Sequence, residues 1–127
     1  MGLLTDKHAA RILIVDDHEM LRRGIESIVN NNRLGEVCGE AENGEEAIQK
    51  VQELNPDLVI MDIIMPVMNG LQTTRAIRKL ASPPKILILT MHDTPQVKIA
   101  VEESGADALV VKSEASSKLV DAITALI

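Results

Sequence analysis

The chain has 127 residues, of which 46% are hydrophobic and 25% are charged, so it is long enough to bury the core of one domain. Its net charge of -6 argues against nucleic-acid binding by these residues and favours a small divalent cation as ligand. A single cysteine, Cys38, excludes an internal disulfide framework, and the chain shows no signal peptide and no apolar run of membrane length, so we expect a cytoplasmic protein.

The hydrophobic pattern divides residues 11–127 into five predicted strands that alternate with five predicted helices, after a mixed lead-in over residues 1–10. The strands are short apolar runs at 11–17, 37–41, 58–62, 85–90 and 107–112. The helices carry apolar residues at helical spacing near 20–29, 44–54, 71–80, 95–105 and 119–126. Asn69 and Thr94 are predicted N-caps, and either Ser113 or Ser116 is predicted to cap the last helix.

The fold predicted from this alternation is α/β, with one five-stranded parallel sheet and helices on both of its faces. The run from Leu58 to Met61 is apolar without interruption and ends at Asp62, which is typical of a central strand with a site residue at its end. The short run at 37–41 is expected at or near an edge. In the first helix, Arg22, Arg23 and Glu26 are expected on the solvent face.

Polar or charged residues stand at the carboxyl ends of four of the five apolar runs: Asp16-Asp17, Asp62, Thr90 and Lys112. Because parallel strands bring these ends to one edge, where open α/β sheets bind ligands, we expect the side chains to gather there. Three crowded carboxylates repel one another unless a cation neutralises them, and an all-oxygen site suits Mg²⁺. The sequence therefore predicts a magnesium site at this edge.

Asp62 is the candidate nucleophile, since it stands alone at the end of the central strand. A carboxylate beside a metal can attack a phosphoryl group and form an acyl phosphate. Asp16 and Asp17 are better placed as metal ligands. Lys112 can neutralise charge on the transferring oxygens, and Thr90 can hydrogen-bond the finished phosphoryl group.

From Arg11 onward, the chain resembles the receiver domain of bacterial two-component response regulators, most closely the NarL/FixJ branch. The resemblance implies a (βα)5 flavodoxin-like receiver fold over residues 11–127. Five motifs in matching order and spacing carry it: Val15-Asp16-Asp17-His18, the run 40–47, the run 57–70, Leu89-Thr90-Met91-His92-Asp93, and Gly105-Ala106-Asp107 leading to Lys112.

The resemblance implies that Asp62 accepts a phosphoryl group from a sensor histidine kinase. Mg²⁺ would be held by Asp17, Asp62 and the backbone carbonyl of Ile64, with Asp16 joining directly or through water. Thr90 would be the switch hydroxyl and Lys112 the cation that pairs with the phosphate. The protein would be a signalling receiver and not an enzyme beyond its own phosphorylation and dephosphorylation.

Members of the NarL/FixJ branch usually carry a C-terminal DNA-binding domain and regulate transcription. We expect such a domain to be absent from this chain, which ends at Ile127. DNA contacts would then lie outside these residues, and a homodimer on phosphorylation is a further expected partnership.

Two residues depart from the family pattern. Leu109 stands where receivers usually have a Tyr or Phe that turns inward on switching, so the output surface is expected to respond differently. Ser113 follows Lys112 where many receivers have a proline after a cis bond, which leaves the geometry of this peptide open.

Two alternative functions stay open. An aspartate-nucleophile phosphatase would share the chemistry, but it usually has a second acid soon after the nucleophile, where this chain has Ile63 and Ile64. A receiver-like interaction module that is not controlled by phosphate is compatible with Leu109.

The histidines and methionines near the predicted site are interpreted as structural residues and not as ligands. His18 and His92 are interpreted as loop residues, because no Cys or further His stands at ligand spacing. Four methionines are expected to fill core gaps that the absence of aromatic residues leaves: Met61, Met65, Met68 and Met91.

Overall fold

The computed structural model describes residues 9–65 and 67–127, so most of the predicted lead-in, residues 1–8, and Pro66 lie outside the described residues. Within them, the strands are β1 (Arg11–Val15), β2 (Glu36–Ala41), β3 (Leu58–Asp62), β4 (Lys85–Thr90) and β5 (Ala108–Val111). The helices are α1 (Glu19–Asn31), α2 (Gly44–Leu54), α3 (Gly70–Arg78), α4 (Pro95–Ser104) and α5 (Ala115–Leu126). The predicted alternation of strands and helices is confirmed.

The five strands form one sheet in the order β2-β1-β3-β4-β5, and every neighbouring pair is parallel. β3 occupies the middle and β2 an edge, as the sequence predicts. The side chains of β3 from Leu58 to Met61 are at most 1% exposed, because helices cover both faces of the sheet. A fully apolar strand is stable only in such a position.

The core consists of two aliphatic layers, one on each face of the sheet. One layer joins alternate strand residues such as Val59 and Met61 to side chains of α2, α3 and α4. The other joins Ile60 and its neighbours to Ile25 of α1 and Leu119 of α5. The alternation of side chains along each strand divides the core in this way, and no aromatic ring contributes to it.

Side-chain caps begin three of the helices. The Asn43 side chain accepts a hydrogen bond from the Glu46 N–H at the start of α2. Asn69 and Gln72 form a reciprocal capping box at the start of α3. Thr94 accepts from the Val97 N–H and Pro95 follows it at the start of α4, so the predicted caps at Asn69 and Thr94 are confirmed.

The predicted cap of the last helix is wrong. Residues Lys112–Glu114 form a single 3₁₀ turn that continues directly into α5, and Glu114 occupies the N-cap position without a side-chain hydrogen bond. Ser113 lies within this turn and Ser116 within the first turn of α5. Because the backbone is already helical before α5 begins, no extended residue is left to serve as a cap.

The helices are short. α1 is the longest of them, with 13 residues. Across the described residues, we find no helix with the length and apolar character needed to cross a bilayer.

Candidate functional site

Four strand ends form one rim of the sheet. Asp16 follows β1, Asp62 is the last residue of β3, Thr90 is the last of β4, and Lys112 follows β5. Because β3 lies between β1 and β4, Asp62 is at the centre of this rim. Sheet topology, and not closeness in sequence, therefore brings residues 16 and 112 together.

Lys112 connects the two buried carboxylates. Its Nζ lies 3.2 Å from Asp62 Oδ2 and 3.4 Å from Asp16 Oδ2. The Asp62 and Asp16 residues are 6% and 1% exposed, and the lysine side chain is 15% exposed. Buried carboxylates are costly unless they are paired, and here two of them share one ammonium group. The cluster therefore keeps an excess negative charge.

Burial raises the pKa of Asp62, because the charged carboxylate is poorly solvated at this position. The Lys112 ammonium opposes this increase, the Asp16 carboxylate adds to it, and the backbone N–H of Ile64 again lowers the pKa. The net direction is upward. A further cation beside Asp62 would favour its ionised form.

Asp17 is the more exposed member of the aspartate pair, with a side chain that is 31% exposed. Its Oδ1 lies 3.0 Å from His18 Nδ1, which also lies 3.3 Å from Asp16 Oδ1. The backbone N–H of His18 donates to the same Asp16 oxygen at 2.8 Å. One ligand atom from each of Asp16, Asp17 and His18 lies within 4.8 Å of the other two, so this group could hold a metal ion.

His18 precedes α1 and is exposed, which agrees with its interpretation as a loop residue. Its ring nevertheless contacts both carboxylates, a feature that the sequence interpretation did not include. The direct adjacency of His18 to the aspartate pair is the signal from which these contacts could be predicted.

A cavity of about 200 Å³ opens at this rim. Its walls are formed by Asp17, His18, Asp62, Ile64, Met91, His92 and Lys112. Met91 is 74% exposed, so its predicted role in the core is wrong. It follows the end of β4 and lies in the loop above the sheet, where there is no core to fill. Met61 and Met65 are buried, as predicted.

Thr90 is 1% exposed, and its hydroxyl accepts a hydrogen bond from the His92 N–H at 3.2 Å. It lies under the short loop that carries Met91 and His92 into the cavity wall. A movement of the Thr90 hydroxyl would therefore have to break or move the bond to this loop.

Gly70 holds the loop after β3 against the end of that strand. Its N–H donates to the Ile63 carbonyl at 2.7 Å. A Cβ at position 70 would lie 2.9 Å from Ile63 Cα and 3.0 Å from the Asp62 carbonyl carbon, and closer still to the Asp62 carbonyl oxygen. Only glycine fits this approach without displacement, so α3 begins directly against the backbone of Asp62.

Arg22 is a further residue of the site, and its predicted place on the solvent face of α1 is wrong. It is 9% exposed, and its Nη1 donates to the Asp16 carbonyl at 2.7 Å. Its Nε donates to Glu40 Oε1 at 2.7 Å. The pattern of α1 assigns a charged residue to solvent, whereas the fold places two acceptors beside it: the buried Asp16 carbonyl after β1 and the partly exposed Glu40 carboxylate of β2.

The donor set of this rim fits Mg²⁺. Asp16, Asp17 and Asp62 supply carboxylate oxygens, the ligands that this hard cation prefers. The two buried carboxylates are only partly neutralised by Lys112, so a divalent cation would complete the charge balance. The cavity beside Asp17 and Asp62 also leaves room for water, which Mg²⁺ usually retains.

The sequence profile described as response regulator receiver domain matches residues 12–124. Over 115 residues, the chain is 37% identical to the response regulator protein VraR of Staphylococcus epidermidis, covering 91% of this chain and 55% of VraR. It is 36% identical to the transcriptional regulatory protein LiaR of Bacillus subtilis, covering 91% of this chain and 54% of LiaR. The chain thus spans about half the length of these curated relatives.

Solved structures agree. A LuxR-family two-component response regulator from Aurantimonas superimposes with a TM-score of 0.87 and 37% identity, covering 92% of this chain and 84% of that chain. The resemblance predicted from the sequence, including its closeness to NarL/FixJ-type regulators, is confirmed. With this fold and a match over nearly its whole length, the chain belongs to the response regulator receiver domain family.

Proposed function

We propose that this receiver accepts a phosphoryl group from a sensor histidine kinase on Asp62 and uses Mg²⁺ to do so. The proposal is supported above all by one observation: Asp62 ends the central strand, is buried, and has the Lys112 ammonium 3.2 Å from its Oδ2. The cavity beside it has a volume of about 200 Å³ and is lined by both Asp62 and Lys112. Asp16 and Asp17 are the proposed further metal ligands, together with the backbone carbonyl of Ile64.

In the proposed reaction, an Asp62 carboxylate oxygen attacks the phosphorus of a phosphohistidine. A new O–P bond forms, the P–N bond breaks, and the imidazole nitrogen leaves with the electron pair. The product is a mixed anhydride on Asp62. When bound, Mg²⁺ supplies positive charge for the transferring oxygens.

The proposed role of Lys112 is to neutralise negative charge both before and after transfer. Before transfer it pairs with Asp16 and Asp62, and after transfer its ammonium can pair with a phosphoryl oxygen. Thr90 is the proposed switch hydroxyl. Its O–H could donate to a phosphoryl oxygen. A shift of the hydroxyl toward that group would stretch or break the bond it accepts from the His92 N–H, and so would move the Met91–His92 loop.

The proposed output is control of transcription by an attached or partner effector. LiaR, one of the relatives, is named a transcriptional regulatory protein, and it is nearly twice as long as the matched region. Because this chain is acidic, we propose that DNA is contacted by residues outside it. Homodimerisation on phosphorylation is the proposed link between the two events.

Intact-protein mass spectrometry after incubation with Mg²⁺ and acetyl phosphate tests the proposal. We expect one added phosphoryl group on the wild-type chain and none on Asp62→Asn, which keeps the shape but removes the nucleophile. Asp57→Asn is the matched control, since Asp57 stands at the opposite end of β3 and accepts from the Arg11 N–H at 2.8 Å. It should be labelled like the wild type.

Other outcomes have defined meanings. Label that persists on Asp62→Asn would reassign the acceptor. A folded wild-type chain that binds no Mg²⁺ and takes no label would favour the phosphate-independent interaction module. Rapid turnover of a foreign phosphate ester without a stable adduct would favour the phosphatase.

A further inference from the structure

Three charged residues are buried in the described part of the chain: Asp16, Arg22 and Asp62. Arg22 is the positively charged one. Its side chain is 10% exposed. A buried guanidinium is retained only where its donors are satisfied. Here they contact the Asp16 carbonyl at 2.7 Å, Glu40 Oε1 at 2.7 Å and, at 3.9 Å, Glu42 Oε1.

Two hydrogen bonds hold the backbone of Asp16, and one of them comes from Arg22. The Asp16 N–H donates to the Ala41 carbonyl at 3.0 Å, and the Asp16 carbonyl accepts from Arg22 Nη1. That carbonyl belongs to the peptide group that joins Asp16 to Asp17. The guanidinium is itself fixed by Glu40, near the carboxyl end of β2. Arg22 therefore restrains the carbonyl of the Asp16–Asp17 peptide.

We propose that Arg22 is a positioning residue for Mg²⁺, acting through the Asp16–Asp17 peptide and touching neither metal nor phosphoryl group. This inference rests on the proposed function and names a further residue of the same site. Mg²⁺ requires near-ideal octahedral geometry, so a rotation of this peptide, which redirects the Asp17 carboxylate, lowers affinity. Loss of such an outer-shell partner typically weakens metal binding about 10–100-fold.

A simple charge effect predicts the opposite sign. Removing a positive charge near the aspartates, with nothing else changed, would leave Mg²⁺ affinity unchanged or increase it. Positioning predicts a decrease. The direction of the change in dissociation constant therefore separates the two explanations.

The experiment is titration calorimetry with MgCl₂ on the wild-type chain, Arg22→Gln and Arg23→Gln. The chain has no Phe, Tyr or Trp, so binding heat serves in place of intrinsic fluorescence. Arg23 is the matched control, because it is the next residue of α1, has a side chain that is 70% exposed and pairs with Glu19 at the helix surface. We expect a dissociation constant about 10–100-fold higher for Arg22→Gln and no increase for Arg23→Gln.

Urea unfolding, followed by far-UV circular dichroism, separates positioning from simple structural support. A supporting role alone would lower the free energy of unfolding of Arg22→Gln but leave the Mg²⁺ affinity of its folded form unchanged. That result would overturn the inference. Arg22→Lys, which keeps the charge but cannot reach both partners at once, should bind Mg²⁺ with intermediate affinity.

If Arg22→Gln does not fold, Glu40→Gln tests the same chain of contacts with Arg22 in place. Glu42→Gln is its matched control for charge, since Glu42 lies 3.9 Å from the guanidinium and its side chain is 67% exposed. Weaker Mg²⁺ binding by Glu40→Gln than by Glu42→Gln supports positioning, and equal binding overturns it. A wild-type chain that binds no Mg²⁺ would instead overturn the proposed function.

Discussion

Replacement of Gly70 by alanine should both destabilise the protein and slow its labelling at Asp62. The added Cβ would lie 2.9 Å from Ile63 Cα and 3.0 Å from the carbonyl carbon of Asp62, where the neighbours are backbone atoms that cannot rotate away. Overpacking of this kind typically costs about 1–3 kcal/mol. Part of the strain should displace the Asp62 peptide.

Gly24→Ala is the matched control, because it is the same chemical change in another helix. Gly24 is exposed in the middle of α1, and an added Cβ would meet nothing within 4 Å. Alanine should therefore stabilise α1 by about 0.5–1 kcal/mol. The two variants should differ by roughly 1.5–4 kcal/mol, with opposite signs relative to the wild type.

Urea unfolding followed at the helical circular dichroism band measures both free energies. The rate of labelling by acetyl phosphate, at saturating Mg²⁺, measures the displacement of Asp62. A displacement approaching 1 Å can slow a positioned reaction by about 10²-fold, so labelling of Gly70→Ala should be at least several-fold slower. Gly24→Ala should be labelled at the wild-type rate.

The reasoning would be refuted by a Gly70→Ala variant as stable as the wild type and labelled equally fast. The junction between β3 and α3 would then yield without moving Asp62. A variant that is destabilised but labelled normally would show that the strain relaxes into α3 and away from the strand.

Three further predictions concern a carboxyl, a thiol and a strained loop residue. Burial raises the pKa of Asp62, so the folded state favours its protonated form and stability is gained as pH falls through the raised value. In EDTA, the free energy of unfolding of the wild type should therefore rise relative to that of Asp62→Asn as the pH is lowered from neutral to the range where ordinary carboxyl groups titrate. A difference that does not change with pH would contradict this. Burial also raises the pKa of the Cys38 thiol, so iodoacetamide should alkylate the folded chain more slowly than the urea-unfolded chain at mildly alkaline pH, and equal rates would exclude this effect. Val67 has a φ of 70°, a left-handed backbone conformation that a β-branched residue tolerates poorly. Val67→Gly should therefore raise the free energy of unfolding by about 1 kcal/mol. A lower free energy of unfolding would show that the backbone at Val67 is not strained.

The order of the elements is predictable from the sequence because the two hydrophobic periods are local. Alternation in β-branched runs and helical spacing between them locate every strand and helix to within a few residues. The uninterrupted apolar run at 58–61 also predicts the central strand, since only a strand covered on both faces has no solvent side. Caps such as Asn69 are equally local, because donor and acceptor lie within one turn.

The start of α5 could not be predicted in the same way. Ser113 and Ser116 are good N-cap residues by type, yet the chain leaves β5 through a 3₁₀ turn and needs neither. The backbone conformation of the segment between a strand and the next helix depends on where that helix packs. This information is not contained in the two serines.

The sequence by itself determined the composition of this site. It shows which strand ends carry carboxylates, a hydroxyl and an ammonium, and a parallel sheet brings those ends to one edge. Only the tertiary structure decided which groups touch. Lys112 pairs with Asp16 across 96 positions of sequence, Arg22 turns inward to the Asp16 carbonyl, and Met91 turns outward. The physical reason is that burial of a side chain depends on what packs opposite it, and that partner comes from another part of the chain.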